Sequence, residues 1–235
     1  MKPVIFVGHR SDMTFYTDIC ELEGREVLGI LDQYYYGRVE ATTDGIPIIG
    51  DERWLLEERG QHWLNSCEFF IGNFFNGVPN RENKSMSGNH LRNERIQLLH
   101  NTKANLANFI HPGSLVHKTA QIGRGVFVGW GTNIQAHAVV GNHCHIGVAG
   151  CVVGNNTKVG NNVTIMGPGS IGSGITIEDN VVVGPLHGIY LRAKEGQLVV
   201  GKNSIIHPNS VLYSSLPENS IWTRDNRRVH NHHVD

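Results

Sequence analysis

The fold is decided by residues 122–183, which read IGRGVFVGWGTNIQAHAVVGNHCHIGVAGCVVGNNTKVGNNVTIMGPGSIGSGITIEDNVVV. Aliphatic residues recur in this stretch at every sixth position with a single step of seven: Ile122, Val128, Ile134, Val140, Ile146, Val152, Val159, Ile165, Ile171, Ile177 and Val183. A helix would repeat its apolar residues at three and four, and an ordinary strand would repeat them at two. A period of six instead predicts short strands joined by tight corners, with one inward aliphatic side chain per step.

The same stretch is rich in glycine and poor in charge. Its charged residues are Arg124, Lys158, Glu178 and Asp179. A glycine often follows the aliphatic residue, as at Gly123, Gly141 and Gly160, which suits a chain that turns where a side chain would clash. The pattern therefore predicts a parallel β-helix with three hexapeptides per coil. Residues 18 apart are then expected to lie one coil above each other, about 4.8 Å apart.

This repeat resembles that of the left-handed hexapeptide-repeat acyltransferases, and the resemblance covers about residues 109–221. The period resumes at residues 199–206, and residues 216–221 are similar to the closing turn of the family. Between these segments we expect residues 185–197 to form a loop outside the helix. The resemblance also implies a homotrimer, in which the catalytic clefts lie between adjacent β-helices.

The first part of the chain follows different rules. Residues 4–8, 26–31 and 68–71 read as buried strands, and residues 12–23 and 52–59 as helices. Strands that alternate with helices predict a small doubly wound α/β unit. We therefore expect an α/β N-terminal Rossmann-like domain over residues 1–108, followed by a left-handed parallel β-helix with a C-terminal tail over residues 109–235. A Rossmann-like unit that binds no ligand is the alternative for the first domain.

The combination of the two domains narrows the resemblance to the sialic acid O-acetyltransferases and the UDP-amino-sugar N-acetyltransferases. In these proteins the small domain binds a sugar nucleotide, and ligands of such sheets lie beyond the carboxyl ends of the strands. The family has a glycine-rich first turn, whereas this chain keeps only Gly8 there and offers Arg10 as a charged donor to a pyrophosphate. The residues expected to bind the substrate are Gly8, His9, Arg10, Asp32, Gly72 and Asn73.

Acyl transfer needs a base for the nucleophile and donors near the developing oxyanion. The histidine of the family faces Gly154 or Asn155 here, so either another group takes the proton or none does. Because His137 lies 18 residues before Asn155, we expect both on one face of the prism. The hypothesis is that His137 takes the proton while Asn155 positions the acceptor or the thioester oxygen.

Two alternatives stay open for this chemistry. In the first, His137, His143 and His145 are polar corner residues with no part in the reaction. In the second, an amino sugar with a near-neutral pKa attacks as the free amine, so that Asn155 is sufficient.

The resemblance implies acetyl-CoA as the acyl donor, and no metal is expected. The cations available to its phosphates are Lys202, Arg224, Arg227 and Arg228, although a solvated tail explains the arginines equally well.

The composition excludes several other classes of function. The chain has 235 residues, with 20 basic and 21 acidic side chains and a formal charge of −1, which disfavours nucleic acids and anionic membrane surfaces. No apolar run is long enough to span a membrane, and no secretory signal opens the chain. The four cysteines form no C-x-x-C pair. We therefore expect a cytoplasmic protein with reduced thiols.

The resemblance thus implies an acetyl-CoA-dependent acyltransferase that N-acetylates a nucleotide-linked amino sugar for surface glycan synthesis. Three departures from the family, at the first turn, at the histidine and at the closing run, keep a second interpretation open. In that interpretation the chain is a catalytically degenerate member that binds a sugar nucleotide as a scaffold or regulator. A sugar O-acetyltransferase is the remaining alternative.

Overall fold

A computed structural model describes residues 1–8, 13–38, 40–42, 45–72, 88–147, 149–192, 196–225 and 227–230. The chain divides into two compact units, Met1–Phe109 and Ile110–Asp235. Among the residues described, no helix combines the length and the apolar character that crossing a membrane requires.

The first unit is built on a parallel sheet with helices between its strands. Its elements are β1 (Val4–Val7), α1 (Thr14–Glu23), β2 (Val27–Leu31), β3 (Ile48–Gly50), α2 (Gln61–Ser66), β4 (Glu68–Ile71) and α3 (Gly88–Asn101). The strand order is β3-β2-β1-β4, so the chain adds strands on one side of β1 and then on the other. The helix predicted over residues 52–59 is instead two 3₁₀ turns, Glu52–Leu56 and Glu58–Gly60.

Short strands make up the second unit. In chain order they are β5 (Phe109–Ile110), β6 (Leu115–Val116), β7 (Gln121–Ile122), β8 (Phe127–Val128), β9 (Asn133–Ile134), β10 (Val139–Val140), β11 (His145–Ile146), β12 (Cys151–Val153), β13 (Lys158–Val159), β14 (Thr164–Ile165), β15 (Gly169–Ile171), β16 (Thr176–Ile177), β17 (Val182–Val183), β18 (His187–Ile189), β19 (Val199–Val200), β20 (Ile205–Ile206), β21 (Val211–Leu212), β22 (Ser220–Trp222) and β23 (Arg228–His230).

These strands pair into three sheets that form the sides of a prism. In the described part of the chain the sheets are β21-β18-β15-β12-β9-β6, β19-β16-β13-β10-β7 and β23-β22-β20-β17-β14-β11-β8-β5, with six, five and eight strands. All pairs are parallel except β22 with β23, whose antiparallel pairing closes the last sheet. The architecture is therefore the parallel β-helix that the period of six predicts.

The three corners of the prism are named by the sheets that they join. Corner A joins the six-stranded to the five-stranded sheet and contains residues 117–120, 135–138, 154–157 and 172–175. Corner B joins the five-stranded to the eight-stranded sheet and contains residues 123–126, 141–144, 160–163, 178–181 and 201–204. Corner C returns to the six-stranded sheet through residues 111–114, 129–132, 166–168, 184–186 and 207–210.

The predicted inward residues point into the core with one exception. Val152 is half-exposed, whereas its neighbours Cys151 and Val153 are fully buried. Val153 pairs with Ile134, 19 residues earlier. The extra residue of this coil therefore lies before β12, at corner C, where Gly147, Ala149 and Gly150 all have positive φ. Cys151, Val152 and Val153 are all apolar, so the sequence alone does not show which of them face inward or where the extra residue lies.

This shift changes the predicted alignment of His137. Its counterpart one coil later is Asn156, because the Asn156 N–H donates to the carbonyl of Ala136 and His137 and Asn156 share a left-handed backbone, with φ of 60° and 56°. The prediction that Asn155 lies one coil above His137 is wrong by one residue. Both residues nevertheless lie in adjacent turns of corner A.

The loop predicted over residues 185–197 is shorter than expected. His187, Gly188 and Ile189 form β18, which pairs with β15 and β21, so the chain leaves the regular coil only after Tyr190. His187 is buried inside the prism, directly over Gly169. A Cβ placed on Gly169 would lie 2.2 Å from Cε1 of His187, so only glycine leaves room for this ring.

This packing predicts that Gly169→Ala lowers the free energy of unfolding by about 1–3 kcal/mol, the usual cost of overpacking a core. Urea denaturation of the purified variant measures the loss. Gly196→Ala is the matched control, since a Cβ at Gly196 meets no atom within 4 Å. Adding His187→Ala to Gly169→Ala should recover part of the loss, and a Gly169→Ala variant as stable as the control would contradict the contact.

Corner B is held by a ladder of asparagine side chains. The Nδ2 atom of Asn162 donates to Asn180 at 2.9 Å, Asn180 donates to Asn203 at 3.1 Å, and Asn203 donates to Asn219 at 2.9 Å. All four have φ between 54° and 60°, a region that asparagine tolerates better than most residues. These bonds connect successive coils, so the asparagine side chains of corner B stabilise the stacking of the coils.

Candidate active site

Two glycines of the first unit meet at the carboxyl edge of its sheet. The Gly8 N–H donates to Leu31 and the Gly72 N–H donates to Val7, so each glycine continues a strand. A Cβ on Gly72 would lie 2.9 Å from the carbonyl oxygen of Gly8 and 2.8 Å from Cε of Met13. Sheets of this kind bind ligands where strands are added on opposite sides, here between β1 and β4. Gly8 and Gly72 flank that point.

Asp32, at the end of β2, is in contact with protein and not with solvent. It is 1% exposed. Its Oδ1 accepts the backbone N–H groups of Tyr34 and Tyr35 at 2.9 and 3.2 Å, and its Oδ2 accepts Nη2 of Arg95 at 2.9 Å. These contacts give Asp32 a positioning function, because the carboxylate fixes the turn that follows β2.

Arg95 joins Asp32 to a second buried carboxylate. Its Nε donates to Oε1 of Glu52 at 3.0 Å, and Oε2 of Glu52 accepts the backbone N–H of Gln33. The side chains of Asp32, Glu52 and Arg95 are all at most 5% exposed. Burial raises the pKa of Glu52 above its usual value, and the nearby Asp32 raises it further, although Arg95 acts in the opposite direction. This network holds α3 against the carboxyl edge of the sheet.

Three of the expected substrate-binding residues, His9, Arg10 and Asn73, lie outside the described residues. The rest of the segment between Gly72 and α3 lies outside them as well, since the described residues resume at Gly88, where α3 begins.

In the second unit, corner A collects the polar side chains expected to perform the chemistry. His137 and Asn155 are both exposed. The backbone N–H of His137 donates to Oγ1 of Thr119 at 3.0 Å, and the backbone N–H of Asn155 donates to Oε1 of Gln135 at 3.1 Å. Side chains of one coil thus hold the backbone of the next coil, while the exposed side chains of His137 and Asn155 take no part in these bonds.

His143 and His145 lie elsewhere. His143 belongs to corner B and is 9% exposed, while His145 is 2% exposed and stacks on Phe127 with ring centroids 4.2 Å apart. These rings are packing elements of the prism. The buried thiols are poor nucleophiles too, since burial raises the pKa of both Cys20 and Cys151 to about 12.

The four cations expected at the phosphates of CoA do not lie together on corner A in one chain. Lys202 belongs to corner B, where its Nζ is 3.1 Å from Oε2 of Glu218. It borders a depression of about 510 Å³ whose charged lining residues are Lys158, Glu178, Asp179, Lys202 and Glu218. Three carboxylates against two amines make this surface unfavourable for a phosphate.

The three arginines lie at the last turn of the prism. Arg224, Arg227 and Arg228 are exposed on the turn and strand that follow β22, and Nε of Arg227 is 3.1 Å from Oδ2 of Asp225. Three guanidinium groups against one carboxylate leave a positive surface that fits phosphate groups. The strand β22 that precedes them lies four strands from β11 in the eight-stranded sheet, so several coils separate these arginines from His137 in the same chain.

The sequence reasoning missed His117, Thr119 and Gln135, which contact or neighbour the backbone of His137 and Asn155. The signal was present, since Thr119 lies 18 residues before His137 and the two are hydrogen-bonded. Thr119 and His137 both precede the extra residue of the β12 coil, so the regular spacing of 18 places them in adjacent coils. The structure was needed to show what their side chains bind.

Comparison with solved structures places the whole chain in one fold group. The chain is similar to PerB from Caulobacter crescentus, crystallised with CoA and GDP-perosamine, with 20% identity over 94% of this chain and 93% of that chain and a TM-score of 0.65. WeeI from Acinetobacter baumannii AYE shares 15% identity over 97% and 99% of the two chains, with a TM-score of 0.75. The acetyltransferase domain of PglB from Neisseria gonorrhoeae FA1090 shares 16% identity over 98% and 100%, with a TM-score of 0.70.

No protein-family model and no curated protein matches the chain. The likeness to these acetyltransferases is therefore one of fold, and it extends over nearly the full length of each chain.

Proposed function

We propose that the protein is an acetyl-CoA-dependent acetyltransferase that acts on the amino group of a nucleotide-linked sugar in surface glycan synthesis. The observation that carries this proposal is corner A, where an exposed imidazole and an exposed amide lie in adjacent turns of a β-helix. The full-length fold likeness to PerB, which was crystallised with CoA and GDP-perosamine, supports the class of substrate. The left-handed winding implied by the hexapeptide repeat belongs to the same proposal.

The residues of corner A suffice for the proton and charge changes of acyl transfer. Acetyl-CoA supplies the thioester when bound. As the sugar nitrogen attacks the carbonyl carbon, a C–N bond forms and His137 takes the proton from nitrogen. The Asn155 amide donates a hydrogen bond to the thioester oxygen as negative charge develops. The C–S bond then breaks, and the leaving thiolate takes the proton that His137 holds, which regenerates the neutral imidazole.

In the first unit, the backbone at Gly8 and Gly72 is proposed to border the nucleotide, because neither glycine has a Cβ that would block approach. His9, Arg10 and Asn73 are proposed as further contacts on the basis of the sequence. Asp32 and Arg95 position the turn beside this edge. The arginines at the last turn of the prism, Arg224, Arg227 and Arg228, are proposed to bind the phosphates of CoA.

A homotrimer is proposed as the assembly, and the cytoplasm as the compartment. Exposed apolar side chains support an association through the prism: Leu115 is 69% exposed, Trp130 54% and Leu186 59%. Trp130 and Leu186 lie on corner C, and Leu115 lies on the adjoining six-stranded sheet. Sedimentation equilibrium would show three times the chain mass of 26.0 kDa for a trimer.

The catalytically degenerate scaffold remains the second candidate, and it is favoured because neither Gly154 nor Asn155, which the resemblance places opposite the family histidine, is a histidine. A thiol-release assay with acetyl-CoA and a panel of UDP-, dTDP- and GDP-linked amino sugars separates the two. An enzyme releases CoA only when a suitable acceptor is present, and mass spectrometry shows the acetylated sugar. Hydroxyl acceptors in the same panel test O-acetylation. Failure to release thiol or to bind CoA at millimolar concentration would leave the scaffold.

A further inference from the structure

The ring of His117 is fixed by a neighbour on corner A. Its Nδ1 is 2.9 Å from Oγ1 of Thr119 and 3.2 Å from the backbone nitrogen of Thr119. A backbone N–H can only donate, so Nδ1 accepts and carries no proton. The proton of the neutral ring is therefore on Nε2.

Thr119 also connects this ring to the next coil. Its Oγ1 accepts the backbone N–H of His137 at 3.0 Å, which leaves the hydroxyl hydrogen free to be donated to Nδ1 of His117. One threonine thus sets the orientation of the His117 imidazole and the position of the His137 backbone.

The two histidines of corner A differ in what they can do. The ring of His137 has no hydrogen-bond partner among the described residues, so either nitrogen can receive a proton. The only unprotonated nitrogen of neutral His117 is already occupied by Thr119. His117 is exposed and presents a fixed N–H donor, which is a binding group rather than a base.

We propose that His117 binds the acceptor sugar by donating from Nε2 to one of its oxygen atoms, an inference that rests on the proposed function. His117 and His137 lie in adjacent coils of the prism, two positions apart along corner A, so groups on different carbons of one sugar ring can face the two imidazoles. The amino group then meets His137 while a hydroxyl on another carbon meets His117. His117 neither gains nor loses a proton during the transfer. Thr119 is the positioning residue that acts through it.

The test is the steady-state kinetics of His117→Ala with the acceptor that the thiol-release assay identifies. Loss of one neutral hydrogen bond is expected to raise the acceptor KM about fivefold to tenfold. The kcat, the KM for acetyl-CoA and the shape of the pH–rate profile should stay unchanged, because the variant removes no base. Thr119→Val should raise the same KM and also lower kcat, since it also releases the His137 backbone. Thr119→Ser keeps the hydroxyl and should restore wild-type values.

His100→Ala is the matched control, since His100 is an exposed histidine of α3 in the other unit. Failure of the two proposals can be told apart. A wild-type protein that releases no thiol with any acceptor overturns the proposed function and this inference with it. An active wild type with an unchanged acceptor KM in His117→Ala, or with a changed pH profile, overturns the assignment of His117 alone.

Discussion

His137→Ala is expected to lower kcat about tenfold to a thousandfold, the usual contribution of a positioned general base. The variant loses the corner A imidazole that has no partner among the described residues, while the Asn155 amide and its bond to Gln135 stay in place. Initial rates of thiol release at saturating acetyl-CoA and acceptor measure the effect. Because the His137 side chain is exposed and only its backbone is bonded to Thr119, the variant should fold normally.

Two comparisons make this result decisive. His100→Ala removes an exposed histidine of α3, in the first unit, and should leave kcat unchanged. Asn155→Ala should lower kcat on its own, because the oxyanion loses a donor. An unchanged rate in His137→Ala together with a slow Asn155→Ala would exclude His137 and favour attack by the free amine.

The period of six allowed the β-helix to be predicted because a repeat constrains every coil in the same way. An error arose where the constraint was weak. In Cys151-Val152-Val153 each residue is apolar, so the sequence did not show which ones face inward, and the extra residue was placed after β12 instead of before it. His187 was missed for the opposite reason. A buried histidine breaks the pattern, and only the glycine at 169 on the coil below makes room for it.

The sequence predicted those residues of the candidate site that lie at the carboxyl ends of strands. The ends of β1 and β4 identified Gly8 and Gly72, which do meet. The end of β2 identified Asp32 as well, but a carboxylate at a strand end can bind a ligand or its own protein. Arg95, 63 residues further along the chain, donates to Oδ2 of Asp32, which no pattern in the sequence indicated. No local pattern links Asp32, Glu52 and Arg95, because the contacts depend on how α3 packs against the sheet.

Arg95→Met is expected to lower the free energy of unfolding by about 3–5 kcal/mol at neutral pH. Methionine keeps most of the aliphatic length of arginine, so the change isolates the charge. Arg95→Met removes the guanidinium that bonds both Asp32 and Glu52, and breaking such a buried ion pair costs about this much. Urea denaturation followed by circular dichroism measures the loss. Arg59→Met is the matched control, because the Arg59–Glu57 pair is about half-exposed and such pairs contribute about 1 kcal/mol or less.

The pH dependence of the stability lost in Arg95→Met follows from the pKa of Glu52. Burial already raises its pKa in the folded protein, and Arg95 is the largest influence that lowers it, so Arg95→Met should raise it further. A carboxyl group with a higher pKa in the folded state adds stability below its unfolded pKa, and this contribution is lost as the pH rises through its folded pKa. The deficit of Arg95→Met relative to wild type should therefore shrink as the pH falls from about 8 towards about 5. A deficit that is constant over this range, or no larger than that of Arg59→Met, would mean that the buried carboxylates do not depend on Arg95 for their charge.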